Sequence, residues 1–196
     1  GIASANRPSD PYRPGSAGRA YPGTELRIVD ESGDPLPTGE RGEIVVKGPT
    51  VMMGYLNRPE ATEETVVDGW LHSGDIGYLD DEGFLYIVDR KKDMIIKGGE
   101  NIYPAEVEDV LYRHPDVAEA AVVGVPHDVY GEDVLAWVVL KEGSDADEAG
   151  LRSFVKEQTT PFKAPSQVRF LEALPKSGVG KILRRELRDR AAAERA

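Results

Sequence analysis

Two lysines, an aspartate, an arginine and a glycine pair are the residues whose settings could do chemistry in this chain. Asp75 lies in GWLHSGDIG (residues 69–77), between two glycine-rich turns with a Trp and a His nearby. A carboxylate held in a tight turn can accept two hydrogen bonds from a vicinal diol such as a ribose. It can equally serve only the amides of its own turn. Lys181 lies in LPKSGVGKILRR (residues 174–185). Gly180-Lys181 invites a phosphate-loop reading, which fails: Pro175 stands where that loop needs its first glycine, and Ile182 where it needs Ser or Thr. What remains is one lysine on a flexible loop. It is either a solvated surface residue or a point charge on a long stem, suited to a developing negative charge. In Lys97-Gly98-Gly99-Glu100 the glycine pair permits positive φ or close approach of another group to the backbone, or makes an ordinary turn. In Arg90-Lys91-Lys92-Asp93 the adjacent charges cannot all face inward, so the run is an exposed linker or a hinge. His72, His114 and His127 lack metal-ligand spacing and read as surface or turn residues. No Ser-His-Asp arrangement is supported.

The elements that must position these groups change style along the chain. Residues 1–23 are rich in Pro, Gly and Ser and read as loop. From 24 to 89 the signals are short strands and turns: strands at 25–29, 43–47 and 84–88, turns at 32–35 and 80–83, and one helix at 59–67. Such a pattern predicts a small barrel or distorted sheet. After Arg90 helices alternate with strands. Pro104 suits the first position of a helix whose Val107, Val110 and Leu111 share a face. Strands follow at 118–125 and 134–140. Ser144 or Asp145 caps a helix burying Leu151, Phe154 and Val155, then come a strand at 167–171 and a helix at 183–193. The fold class is therefore α+β: a β-rich part over residues 1–89, then a separate α/β unit over 90–196, with a hinge near 90–92.

Composition excludes several functions. The 196 residues are 40% hydrophobic, enough for packed cores. No run approaches the roughly 20 apolar residues of a membrane span, and the start has no apolar signal region. The absence of cysteine removes disulfides, thiolate metal sites and a cysteine nucleophile. A net charge of −11 argues against nucleic-acid partners. The expected location is cytoplasmic, and the oligomeric state is not legible.

Taken in order and spacing, the motifs resemble the adenylate-forming superfamily of acyl-CoA synthetases, firefly luciferase and peptide-synthetase adenylation domains. The resemblance covers residues 14–188 and rests on GEIVVKGPTVMMGYLNRPEAT (42–62), DGWLHSGDIGYLDDEGFLYIVDRKKDMIIKGGENIYPAEVE (68–108) and LPKSGVGKILRREL (174–187). It implies a reaction of two steps. A carboxylate attacks the α-phosphate of Mg·ATP, giving acyl-adenylate and pyrophosphate; a thiol then displaces AMP. Asp75 matches the carboxylate that holds both ribose hydroxyls, and Arg90 the arginine near ribose and phosphate. Lys92 matches the hinge position, Lys181 the lysine that reaches the α-phosphate and acyl carboxylate, and Gly98 and Gly99 the glycines of the pantetheine tunnel. The implied fold is a β-rich subdomain completing a large domain, followed by a small mobile C-terminal domain.

Two departures are small: Lys97 stands where Ser is common, and Ser177-Gly178-Val179 where Asn-Ala-Thr is usual. The family's phosphate loop and its Tyr-Gly-x-Thr-Glu stretch, which carries a magnesium ligand, are absent, and the resemblance implies that Gly1 begins just after that stretch. The resemblance thus implies the C-terminal part of a carboxylate:CoA ligase using ATP, Mg2+ and CoA on a small carboxylic acid, inactive as a fragment. The alternatives are an acyl-AMP ligase or a module loading a carrier protein, or a non-catalytic binding module.

Overall fold

Short β-branched stretches between glycines and prolines dominate the first half of the chain, and they pair as antiparallel strands. The computed structural model describes residues 3–194. It divides the chain into two units, Gly1–Lys92 and Asp93–Ala196. In the first, β1 (Ser4–Ala5) pairs with β2 (Arg19–Ala20) inside the stretch expected to be loop. Two-residue strands leave no periodicity to read; residues 1 and 2 lie outside the described residues. Then follow β3 (Glu25–Val29), β4 (Gly42–Lys47), helix α1 (Pro59–Thr65), β5 (Val66–Val67), β6 (Trp70–Leu79) and β7 (Leu85–Arg90). They form an antiparallel sheet of order β3-β4-β6-β5, with β7 also on β6. The helix expected to reach residue 67 stops at Thr65. Val66 and Val67, β-branched and stiff, prefer the extended pairing with β6. Ile28, Ile44, Val46 and Leu85 form the core of this unit.

A single 3-10 turn, Lys91–Asp93, carries the charged run across the division. Next come β8 (Ile95–Lys97), β9 (Glu100–Ile102), α2 (Pro104–Tyr112), β10 (Val117–His127), β11 (Gly131–Leu140), α3 (Glu148–Gln158), β12 (Gln167–Phe170) and α4 (Arg184–Ala193). The sheet order is β10-β11-β8-β9; β12 joins β11 in parallel. Alternating side chains of the two long strands feed two cores. Ala120, Val122, Val134, Ala136 and Val138 pack with Val107, Leu111, Leu151 and Val155 of α2 and α3. Ala121, Val123, Val125, Leu135 and Trp137 pack with Leu187 and Ala191 of α4. A sheet covered on both faces explains why these strands read as continuous apolar runs rather than alternating ones.

Pro104 stands at the start of α2, as expected. The cap of α3 is Asp147 rather than Ser144 or Asp145: its Oδ1 accepts a 2.7 Å hydrogen bond from the Gly150 amide. Only a cap three residues before that amide reaches it while Leu151 and Val155 still face the core. Phe154 is half-buried and meets His114 edge to face.

Candidate functional site

The candidate residues are divided between the two units. In the first, Asp75 does not lie in a turn as expected but inside β6. The glycines around it mark irregularities in a continuous strand. Gly74 takes φ +70°, and the register shifts between Ile76 and Gly77 on β6 and between Glu43 and Val45 on β4. At Gly77 a Cβ would lie 2.5 Å from the Tyr86 carbonyl oxygen, so only glycine lets β7 approach there. Asp75 pairs across the strands with Arg90, the last residue of β7. The Arg90 Nε lies 2.9 Å from Asp75 Oδ1, with the guanidinium over half exposed. The Asp75 amide donates to Ser73 Oγ, which itself donates to the Ile44 carbonyl, so the backbone beneath the carboxylate is fixed by β4. One carboxylate with its outer side open and an arginine beside it makes a site for a polyhydroxy or anionic group.

Behind this pair stands a residue that sequence reasoning missed. Glu43 of β4 is buried, and its carboxylate accepts from Lys91 Nζ at 2.8 Å and from the Gly74 amide at 3.2 Å; His72 Nδ1 lies 3.1 Å away. Burial pushes the Glu43 carboxyl up, but the hydrogen bonds from Lys91 and His72 outweigh it and hold the group below the usual carboxylate range. His72, read as a surface or turn residue, is thus the half-buried partner of a buried acid. His127 does serve its turn, accepting from the Val129 and Tyr130 amides. Lys92, the residue after Lys91, is exposed, and among the described residues no hydrogen bond or ion pair holds its side chain.

In the second unit the glycine pair closes a two-residue hairpin. Lys97 pairs with Glu100, and Gly98 and Gly99 have φ +57° and +87°. Two successive positive φ values define a type I′ turn, which glycine adopts without strain. The Gly98 amide donates to the Tyr130 carbonyl, and nothing lies within 4 Å of a Cβ built on Gly99, so the backbone there is bare. Lys97 beneath it is buried: its ammonium lies 2.7 Å from Asp133 Oδ1, with Phe162 and Tyr130 rings 5.0 and 5.7 Å away. Burial raises the Asp133 carboxyl, but Lys97, the Val134 amide and Ser166 more than offset it, so the group is held below its ordinary value.

Lys181 sits on the return arm of a loop pinned at both ends. The Ser177 amide donates to the Lys181 carbonyl, the Lys181 amide to Ser177 Oγ, and the Leu183 amide to the Pro175 carbonyl. Leu174 is buried below, with Ile182 packed on the same core as Leu187. Of the neighbouring cations, Lys176 pairs with Glu119 at 2.5 Å, Arg184 with Glu108 at 2.5 Å and Arg188 with Asp93 at 2.6 Å, while exposed Arg185 has only Asp189 at 3.9 Å. Lys181 is exposed and, among the described residues, without an ion-pair partner. The loop therefore offers one ammonium on a fixed base. Among the described residues no group of three or more His, Cys, Asp or Glu could hold a metal ion.

Comparison with known proteins agrees with both units. A family model described as AMP-binding enzyme matches residues 1–56, and one described as AMP-binding enzyme C-terminal domain matches residues 106–181. A long-chain-fatty-acid–CoA ligase of Escherichia coli is 52% identical over 190 residues, which are 97% of this chain and 34% of that protein. The ATP-bound crystal structure of MatB from Rhodopseudomonas palustris superposes with a TM-score of 0.90 at 39% identity, covering 96% of this chain and 38% of that one. The o-succinylbenzoate CoA synthetase of Bacillus subtilis, in complex with its acyl-adenylate intermediate, gives 0.81 at 46% identity over 89% of this chain and 36% of that one. The chain thus spans about a third of the length of the relatives it matches.

Proposed function

The chain belongs to the AMP-binding, adenylate-forming superfamily, and on that premise we propose that it contributes to an ATP-dependent carboxylate:CoA ligase working through an acyl-adenylate. In this reading Asp75 receives the ribose hydroxyls of ATP. Its carboxylate keeps an open side while Arg90 holds the other, and Arg90 is placed to meet ribose and phosphate. The α-phosphate under attack by a carboxylate gathers negative charge, and a lysine ammonium delivered there stabilises it. Lys181 is that lysine. Gly98 and Gly99 present backbone along which the pantetheine arm of CoA passes: Gly99 is bare, and at Gly98 a side chain would come into contact with the Tyr130 and Phe162 rings. Lys92 is the hinge that lets one lid serve adenylation and then thioester formation. Mg2+ would neutralise phosphate charge when bound, through ligands outside these candidates.

The observation that carries this reading is the isolation of Lys181. Lys176, Arg184 and Arg188 around it are each held by an acid, and Lys181 is not. The test is a pyrophosphate-release screen of the full-length gene product against a panel of carboxylic acids with ATP and CoA. Release that depends on both the acid and ATP is expected. No release with any acid would remove the reading. No helix among the described residues is long and apolar enough to cross a membrane.

A further inference from the structure

Lys92 is followed at once by an anchored residue. Asp93 is buried, and its carboxylate accepts from Arg188 Nη2 at 2.6 Å, with Arg184 Nε 3.8 Å away. Both arginines belong to α4, the helix that begins three residues after Lys181. Arg184 also forks onto Glu108 of α2, Nη1 to Oε1 at 2.5 Å and Nη2 to Oε2 at 3.1 Å. Glu108 in turn accepts from the Val122 amide of β10 at 2.7 Å. Two acids and two arginines thus join the residue after Lys92, the root of the Lys181 loop, α2 and the central sheet. A largely buried ionic cluster adds little net stability compared with apolar packing, because desolvation offsets the attraction. In some proteins such a cluster supplies instead a fixed register between the elements it joins. On the other side of Lys92, Lys91 is held by buried Glu43, within the first unit. Lys92 thus lies between two residues whose side chains are anchored, one in each unit.

We infer that Asp93, through Arg188 and Arg184, is a positioning residue for Lys181: it makes the catalytic loop follow the backbone at Lys92 without slack. This rests on the role of Lys181 proposed above. Without the clamp, α4 can settle against α2 in more than one way, and the ammonium arrives displaced at the α-phosphate. A misplacement of 1 Å can cost roughly 10²-fold in rate.

The test is a double-mutant cycle in the full-length gene product, read by ATP–pyrophosphate exchange with its best acid. Asp93→Asn is expected to lower kcat about tenfold, with KM for ATP within about twofold, because binding of the nucleotide does not use Lys181. In a Lys181→Ala background the same change should have less than a twofold effect, since a residue that acts through the lysine has nothing left to act on. Asp93→Glu, which keeps the charge, should recover part of the rate. Equal losses in both backgrounds would reduce Asp93 to a structural role, and an unchanged kcat in Asp93→Asn would overturn the inference outright. If Asp93→Asn does not fold, Arg188→Gln at its partly exposed site repeats the cycle with the same expectations. A wild-type protein silent in exchange with every acid would instead fail the functional reading, and the inference with it.

Discussion

Replacing Lys97 by Met removes the charge that balances buried Asp133 and keeps an unbranched stem against Phe162 and Tyr130. Breaking one side of a buried ion pair costs about 3–5 kcal/mol, because the remaining charge stays buried without its partner. Here Asp133 keeps the Val134 amide at 2.8 Å and its bond with Ser166, which places the loss near the low end, about 3 kcal/mol. For a unit of this size that corresponds to a fall in Tm of roughly 12–24 °C. The assay is urea and thermal unfolding of the 196-residue chain in a Trp70→Phe background, so that fluorescence reports Trp137, 1% exposed in the core of the second unit. Adding Asp133→Asn to Lys97→Met should restore most of the loss by removing the stranded charge. The pH dependence has a definite sign. The folded Asp133 carboxyl lies below its ordinary value of 3.8, so the pair's contribution is complete above that value and is lost as pH falls through it toward the folded value. The gap between wild type and Lys97→Met should therefore narrow as pH drops below about 4. A loss under about 0.5 kcal/mol at pH 7, within the range of an ordinary surface change, would refute the claim that this pair is electrostatically buried.

Two further outcomes concern the proposed activity. Lys92→Pro fixes φ near −65° and restricts the residue before it, so adenylation should survive and CoA transfer should fall, read by quench-flow build-up and decay of acyl-AMP in the full-length gene product. If both rates stay within about twofold, a barrier change of only about 0.4 kcal/mol, Lys92 is an ordinary linker residue. The 196-residue chain on its own should show no ATP–pyrophosphate exchange above background, because positioning by groups outside it supplies much of the rate; detectable exchange with any acid would contradict this.

The parts of the candidate site that were legible in the sequence are those that announce themselves locally. Gly98-Gly99 reads as either an ordinary turn or a close approach to the backbone, and Lys181 beside Gly180 stands out because a phosphate-loop pattern fails around it. Pro104 marked a helix start and the structure agrees. What could not be read is made by the register of the sheets. Glu43 meets Lys91 48 positions away, Asp93 meets Arg188 95 positions away, and Lys97 meets Asp133 only because β8 lies beside β11. Charges such as these look like solvated surface in a linear chain, and only burial shows them to be paired. Asp75 reads from the sequence as a turn residue and lies inside β6, because Gly74 and Gly77 carry the same composition signal whether they end a strand or bulge it.

In the proposed reading Lys181 stabilises the charge of adenylation and leaves before the thiol arrives, and separating the half-reactions of Lys181→Ala tests this directly. In the full-length gene product the variant should lose about 10²–10³-fold or more in acyl-adenylate formation, the scale set by removing one electrostatic donor to a transition state. Its conversion of preformed acyl-adenylate to thioester should stay within a few-fold of wild type. An equal loss in both half-reactions, or none in the first, would contradict the account.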